Sequence, residues 1–224
     1  MKIAILLLFF LGSILFGADI KVADFDGRDW SKVAVHQMKV DGYKELLKLQ
    51  CAIHKEKLSI RVRIPQENPS MKHRPWVLKD EKFVVGKQLE DSLALRFSQK
   101  GKEIQDLWFW GANRTQWGVA DDGFFKDKKY FSDGGKGPWK LNLELGSFHQ
   151  NRNRYLEQKS QGSRSDVSVK SDYKEGAWEL VFSRSIRTIN KDDLSFDSLL
   201  ELTVSKDPKV KGPVMKLTFE GADK

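Results

Sequence analysis

Short stretches in which apolar and polar residues alternate recur along the chain. The clearest covers residues 58–64, Leu-Ser-Ile-Arg-Val-Arg-Ile, where one face of a strand would meet a core and the other would meet water. Five further stretches repeat the pattern, at residues 93–97, 107–110, 178–182, 200–204 and 215–219. Helical periodicity is almost absent, apart from one turn expected near residues 43–49. Many short strands with turn residues between them predict an all-β fold, an antiparallel β-sandwich.

Two long regions lack this alternation. Residues 65–87 contain Asn68-Pro69, Met71, His73 and Pro75-Trp76, and residues 124–165 are rich in Gly, Lys, Asn and Gln. Irregular loops of this length in a compact domain are usually functional or disordered. Because aromatic residues occur in both regions, we expect ordered loops and predict a sandwich with long irregular loops.

The first residues have the composition of a secretory signal peptide. Lys2 precedes an apolar run over residues 3–16, and Gly17-Ala18 supplies the small residues of a cleavage site. Removal of residues 1–17 leaves residues 18–224, a length that a single β-sandwich domain commonly reaches. We therefore expect an exported, periplasmic protein with no membrane span after cleavage. A retained N-terminal anchor is the alternative.

Charge and cysteine content narrow the range of partners. The net charge is +8, but basic and acidic residues are interspersed, which is typical of a soluble charged surface and not of a nucleic-acid interface. The same surplus would suit an acidic partner protein. Cys51 is the only cysteine, so the chain has no intrachain disulfide and no Cys-x-x-Cys-His motif. We expect this lone thiol to be a small buried hydrophobe.

One window concentrates unusual residues. Residues 106–122 hold three tryptophans, an Arg-Thr pair and two consecutive aspartates. Trp108 and Trp110 lie two apart on a predicted strand and face the same side, where they line either the core or a ligand pocket. Asp121-Asp122 and Asp192-Asp193 are candidates for a calcium site or, more simply, for bonds to the local backbone. Nothing in the sequence resembles a nucleophile with its base, a phosphate loop or a zinc cluster.

Three segments, in this order, resemble a known family. They are Arg74-Pro-Trp-Val77 with residues 89–97, the window from Asp106 to Asp122, and residues 164–196 with their Gly-Ala-Trp run at 176–178. Together they resemble the ethylbenzene dehydrogenase-related, cytochrome- and DMSO reductase-like haem-binding domain family. The resemblance implies a sandwich like that of family-nine carbohydrate-binding modules and a non-covalent b-type haem. It also implies electron transfer with a periplasmic oxidoreductase or a c-type cytochrome as partner.

The sequence departs from the family at one of the two haem ligands that the resemblance implies. Relatives take an axial methionine from the connection before the Trp-rich strand, but residues 98–105 contain none. Met71 and His73 are the nearest substitutes in the sequence, and Lys209 or Lys211 aligns with the second ligand near the C-terminus. A lysine binds iron only as the neutral amine, which requires burial.

Other residues of the Trp-rich window would complete such a haem site. Trp108 and Trp110 would form its walls, and Arg114 would bond a haem propionate or a partner carboxylate. The alternative for Arg114 is an ion pair with Asp121 or Asp122 that fixes the loop.

The sequence thus supports three hypotheses. The first is an exported, non-catalytic electron-transfer protein that holds one b-type haem. The second is a haem-free carbohydrate- or protein-binding sandwich module, which the missing methionine favours, with exposed tryptophans stacked on sugar rings or on a partner protein. The third is a purely structural subunit of a periplasmic complex.

Overall fold

A computed structural model describes residues 19–115, 118–144 and 152–219. Within these ranges the only helical segments are two single 3-10 turns, Trp30–Lys32 and Ser163–Ser165. The strands of the described residues are, in chain order, β1 (Asp19–Asp24), β2 (His36–Met38), β3 (Leu47–His54), β4 (Lys57–Pro65), β5 (Trp76–Lys79), β6 (Lys82–Val85), β7 (Ser92–Ser98), β8 (Ile104–Gly111), β9 (Asp121–Lys126), β10 (Lys129–Ser132), β11 (Trp139–Leu141), β12 (Tyr155–Glu157), β13 (Ser168–Lys174), β14 (Ala177–Ser185), β15 (Leu200–Ser205) and β16 (Val214–Phe219).

Two sheets face one another, and one strand belongs to both. The first sheet has the order β10-β9-β8-β7-β15-β16-β1, and the second has the order β1-β3-β4-β14-β13 with β2 also beside β3. β1 pairs with β16 in its first part and with β3 in its last two residues, and both pairings are parallel. Every other neighbouring pair in the two sheets is antiparallel. The predicted β-sandwich is confirmed, with β1 as the parallel exception.

The core lies between the two sheets. In β4, Leu58, Ile60, Val62 and Ile64 are fully buried, as the alternation predicts. They belong to one cluster with inward side chains of β7, β8, β14, β15 and β16. Removing a large apolar side chain from water contributes about 1.5–3 kcal/mol, so this cluster is the main source of the fold's stability.

β3 replaces the helical turn expected near residues 43–49, so that expectation is wrong. Four consecutive residues of β3, 49–52, are buried, which conceals the alternation of a strand. The polar member of this run, Gln50, is satisfied because its amide donates to the carbonyls of Trp30 and Val33, at 2.7 and 2.8 Å. The neighbouring Cys51 is 1% exposed, which confirms the expected buried thiol.

Both regions predicted to be irregular contain short hairpins. β5 pairs with β6 in the first region, and β10, β11 and β12 lie in the second. Two-residue turns with positive φ at both positions make four hairpins in the described residues: Lys55-Glu56, Asp80-Glu81, Asp127-Lys128 and Glu175-Gly176. This turn geometry matches the twist of antiparallel strands. Only one of the four turns contains glycine, so composition alone does not reveal them.

Some predicted features fall outside the described residues. These are the signal peptide over residues 1–17 and part of the second loop region, residues 145–151. Among the residues that the structure describes, no helix has the length and apolar character needed to cross a membrane. The periplasmic location stays a prediction that depends on residues 1–17.

Candidate functional site

The two tryptophans of β8 lie in the core. Trp108 is fully buried and Trp110 is 1% exposed. The ring centroids of Trp108 and Phe97 are 4.6 Å apart, and those of Trp110 and Trp178 are 5.0 Å apart. Phe109 faces the opposite side of the sheet and belongs to a separate apolar cluster. Of the two alternatives for this tryptophan pair, the structure therefore selects core packing.

Arg114 pairs with Glu90 and not with the aspartates considered from the sequence. Its Nε donates to Oε1 of Glu90, and the backbone N–H groups of Asn113 and Arg114 donate to Oε2. The Glu90 carboxylate is fully buried. A Cβ at Gly111 would lie 2.7 Å from this carboxylate, so glycine is required for the close approach. Glu90 therefore fixes the turn that follows β8, while Asp121 pairs with Arg164 at 2.7 Å.

His73 lines the same cleft. Its Nδ1 lies 3.3 Å from Oε1 of Glu90, and its ring meets that of Tyr155 at a centroid distance of 5.3 Å. Burial, followed by the charges of Arg114 and Arg74, lowers the pKa of His73 to about 4. At neutral pH the imidazole is therefore uncharged.

The predicted haem ligands do not come together around one cavity. The cleft beside Glu90 has a volume of about 330 Å³, and of the predicted haem-site residues only His73 and Arg114 line it. Met71 is 46% exposed at the surface. Lys209 and Lys211 line a different groove. A six-coordinate haem needs two donors on opposite faces of the ring and an apolar cavity around it, and these residues do not fit that group.

A second site is a cluster of five aspartates at one edge of the sandwich, which we call the aspartate cluster. Carboxylate oxygens of Asp106, Asp122 and Asp193 lie within 4.8 Å of one another, and so do those of Asp133, Asp192 and Asp193. Asp106 and Asp122 are on the inner face of β8 and β9, since Asp122 is opposite Trp108 in the ladder.

The positively charged side chain of Arg184 lies among the carboxylates of the aspartate cluster. Arg184, 1% exposed on β14, donates from Nη1 to Asp106 at 2.6 Å and to Asp193 at 2.8 Å. Burial works against the charge of this guanidinium, but the carboxylates around it raise its pKa. Burial raises the pKa of Asp106 to about 6 and that of Asp133 to about 8, and neighbouring carboxylates add to the rise at Asp133. Negative charge in the cluster exceeds what one arginine neutralises.

A third site is a groove on the outer face of the first sheet, which we call the outer groove. Its volume is about 890 Å³. Its lining includes six basic side chains, namely Arg96, Lys102, Lys128, Lys129, Lys209 and Lys211. It also includes two acidic side chains, Glu103 and Asp127. The groove therefore attracts negative charge.

Aromatic rings and an arginine form the centre of the outer groove. Phe125 and Tyr130 are opposite each other on β9 and β10, with ring centroids 5.7 Å apart. The Arg96 guanidinium lies 5.5 Å from the centre of the Phe125 ring. Arg96 is half-buried, burial lowers its pKa, and it has no acidic partner among the described residues. Gly123 makes room for Tyr130, because a Cβ there would lie 2.8 Å from the tyrosine ring.

Sequence reasoning missed the residues that organise these sites. Asp106 offered a signal, because it occupies the inward register of Trp108 and Trp110, where an apolar residue is expected. Glu90, Arg96 and Asp133 offered none, since each lies in a segment of ordinary composition and has its functional neighbours in segments distant in sequence.

No protein-family model matches the chain, and no curated protein matches it either. The structure is similar to that of a candidate carbohydrate-binding protein from Bacteroides uniformis, with 9% identity over 91% of this chain and 100% of the other, at a TM-score of 0.46. It is also similar to a family-nine carbohydrate-binding module from Caldicellulosiruptor kristjanssonii in complex with cellotriose, with 9% identity over 91% of this chain and 94% of the other, at a TM-score of 0.44. Identities this low concern the fold alone.

The description of the chain as a haem-binding cytochrome is corrected by the placement of the predicted ligands. Met71 lies in an exposed loop, His73 in the Glu90 cleft, and Lys209 and Lys211 in the outer groove. The resemblance to the haem-binding family stays a prediction. The all-β sandwich is established by the structure.

Proposed function

We propose that the protein is a non-catalytic binding module whose outer groove takes an acidic carbohydrate. The observation that carries this proposal is the half-buried Arg96 guanidinium, which lies over the Phe125 ring without an acidic partner among the described residues. The Tyr130 ring packs against Phe125. Sugar rings are bound by stacking on aromatic side chains and by hydrogen bonds from fixed polar groups. The groove combines both features.

The charge of the outer groove selects among carbohydrates. The groove has six basic and two acidic side chains, and this positive surplus adds affinity for sugars that carry carboxylate or sulfate groups. It does not interfere with hydrogen bonds to sugar hydroxyls or with ring stacking. Arginine is suited to this role because its planar guanidinium forms two parallel hydrogen bonds to such an anion. A sugar chain with uronic acid or sulfate groups therefore matches the groove better than a neutral one.

The test is titration calorimetry of the chain with matched acidic and neutral oligosaccharides. Arg96→Gln should weaken binding of the acidic sugar about ten- to a hundredfold, because hydrogen bonds to charged groups contribute about 1.5–3 kcal/mol. Tyr130→Ala should weaken acidic and neutral sugars alike through lost stacking. Lys48→Gln is the matched control, since it removes the same charge from an exposed position on the second sheet and should leave binding unchanged.

Two outcomes would overturn the proposal. Equal affinity for acidic and neutral sugars, unchanged by Arg96→Gln, would show that Arg96 does not recognise the ligand. Binding of an acidic polypeptide but of no sugar would assign the groove to a protein partner.

A further inference from the structure

We infer that the aspartate cluster is a calcium-binding site. This site is separate from the outer groove, and the inference does not depend on the proposed carbohydrate ligand. Its basis is that carboxylate oxygens from five aspartates converge on one buried edge of the sandwich: Asp106, Asp122, Asp133, Asp192 and Asp193.

Buried oxygens without partners point into this cluster. Oδ1 of Asp106, Oδ2 of Asp122 and both side-chain oxygens of Asp133 are buried and accept no hydrogen bond from the residues that the structure describes. Asp106 and Asp122 are fully buried, and Asp133 is 4% exposed. A buried carboxylate oxygen without a donor costs free energy comparable to several lost hydrogen bonds. A cation bound in the group of Asp106, Asp122 and Asp193, or in the group of Asp133, Asp192 and Asp193, would remove this cost at the oxygens of that group.

The donors that are present satisfy only part of the cluster. The Asp106 carboxylate accepts hydrogen bonds from the Arg184 guanidinium and the backbone N–H of Leu194. The Asp193 carboxylate accepts hydrogen bonds from Arg184 and from the side-chain amide of Asn190. Within the described part of the chain, the Asp122 side chain accepts one hydrogen bond, from the N–H of Gly123 to Oδ1. If all five aspartates are ionised, Arg184 neutralises one charge, which leaves a net negative charge suited to a divalent ion.

The ligand set is that of calcium among common metals. Every candidate ligand atom found in the described residues of the cluster is a carboxylate oxygen, whereas zinc prefers nitrogen and sulfur donors. Calcium accepts six to eight oxygens in flexible geometry, whereas magnesium requires a near-ideal octahedron. Aspartates from β8, β9, the segment after β10 and the segment before β15 provide an irregular set of this kind.

A path from solvent to the cluster is present. A surface cavity lined by Asp166, Arg184 and Asn190 opens beside it, and Asn190 donates to both Asp166 and Asp193. An ion therefore has access to the cluster without unfolding of the core.

The experiment is thermal unfolding of the full chain after removal of metal, with and without added calcium, together with calorimetric titration. Calcium at a hundredfold excess over its Kd should raise Tm by about 5–10 °C, because the ion binds only the folded state. Terbium offers a direct readout, since Trp108 is opposite Asp122 and should sensitise its luminescence. Excess calcium should then quench that signal.

Matched variants separate binding from folding. Asp133→Asn should abolish the calcium-induced rise in Tm and, because it replaces a carboxyl that is buried among other carboxylates, should raise Tm when no metal is present. Asp172→Asn, at an exposed position on β13, should respond to calcium as the wild type does.

A metal-stripped wild type whose Tm is the same in calcium and in chelator, with no heat of binding, would overturn the inference. An equal response to magnesium would overturn the assignment to calcium. A failure of sugar binding in the outer groove would leave both results unaffected, so the two proposals can fail independently.

Discussion

Truncation of Glu90 to alanine should cost the sandwich about 3–5 kcal/mol of unfolding free energy, the range for breaking a buried ion pair from one side. The carboxylate is fully buried and holds the Arg114 guanidinium together with two backbone N–H groups. In Glu90→Ala these donors lose their acceptor and remain in the cleft. Glu90→Gln keeps the shape and one acceptor oxygen, so it should cost about 1–3 kcal/mol.

Urea unfolding followed by tryptophan fluorescence measures this loss. Glu67→Ala, at an exposed loop position, is the control and should lie within about 0.5 kcal/mol of the wild type. The double variant Glu90→Ala with Arg114→Met should lose less than the sum of the single losses, because no buried cation is then left unpaired. A Glu90→Ala protein within about 1 kcal/mol of the wild type, with an unchanged m-value, would refute this argument.

Further expectations concern the core, a turn, a thiol and an imidazole. Trp108→Ala should cost about 3–5 kcal/mol in urea unfolding, whereas Phe131→Ala, 44% exposed, should cost little. Gly135→Ala should destabilise more than Gly101→Ala, although both glycines have positive φ, because only the first Cβ would collide with the Gln161 carbonyl; melting temperatures test this. Cys51 should resist a thiol reagent at neutral pH until urea unfolds the chain, because burial raises its pKa. The pKa of His73 is about 4 when folded and near 6.5 when unfolded, so the unfolded chain binds more protons between these values. Stability should therefore fall as pH decreases from about 6.5 to about 4, and His73→Asn should reduce that slope in urea titrations at several pH values.

The strands that bury only one of their two faces were predictable from the sequence. β4 alternates cleanly because only one of its faces meets the core. β3 escaped prediction because Gln50 is buried among apolar neighbours and satisfied by the loop from Trp30 to Val33. Hydrogen bonds of this kind join residues far apart in sequence, so periodicity does not report them.

The candidate sites were predictable only in part. The sequence indicated Asp121-Asp122 and Asp192-Asp193 as aspartate pairs, but only three of these four residues join the aspartate cluster, since Asp121 faces Arg164. Asp133 completes the cluster from the end of β10, which no local pattern marks. Lys209 and Lys211 were singled out as haem ligands, and the sheet places them in a groove of like-charged neighbours.

The shared strand β1 has a consequence for how the chain folds. Its first four residues pair with residues 216–219, nearly the whole length of the chain away. Contacts between such distant segments slow folding, because a long loop must close before they form. Until β16 is available, β1 and β15 each lack a neighbour, and unpaired strand edges invite association with other chains. The sandwich is thus closed by β1 and β16 together, and a chain synthesised only as far as β15 exposes the edges that β16 later covers.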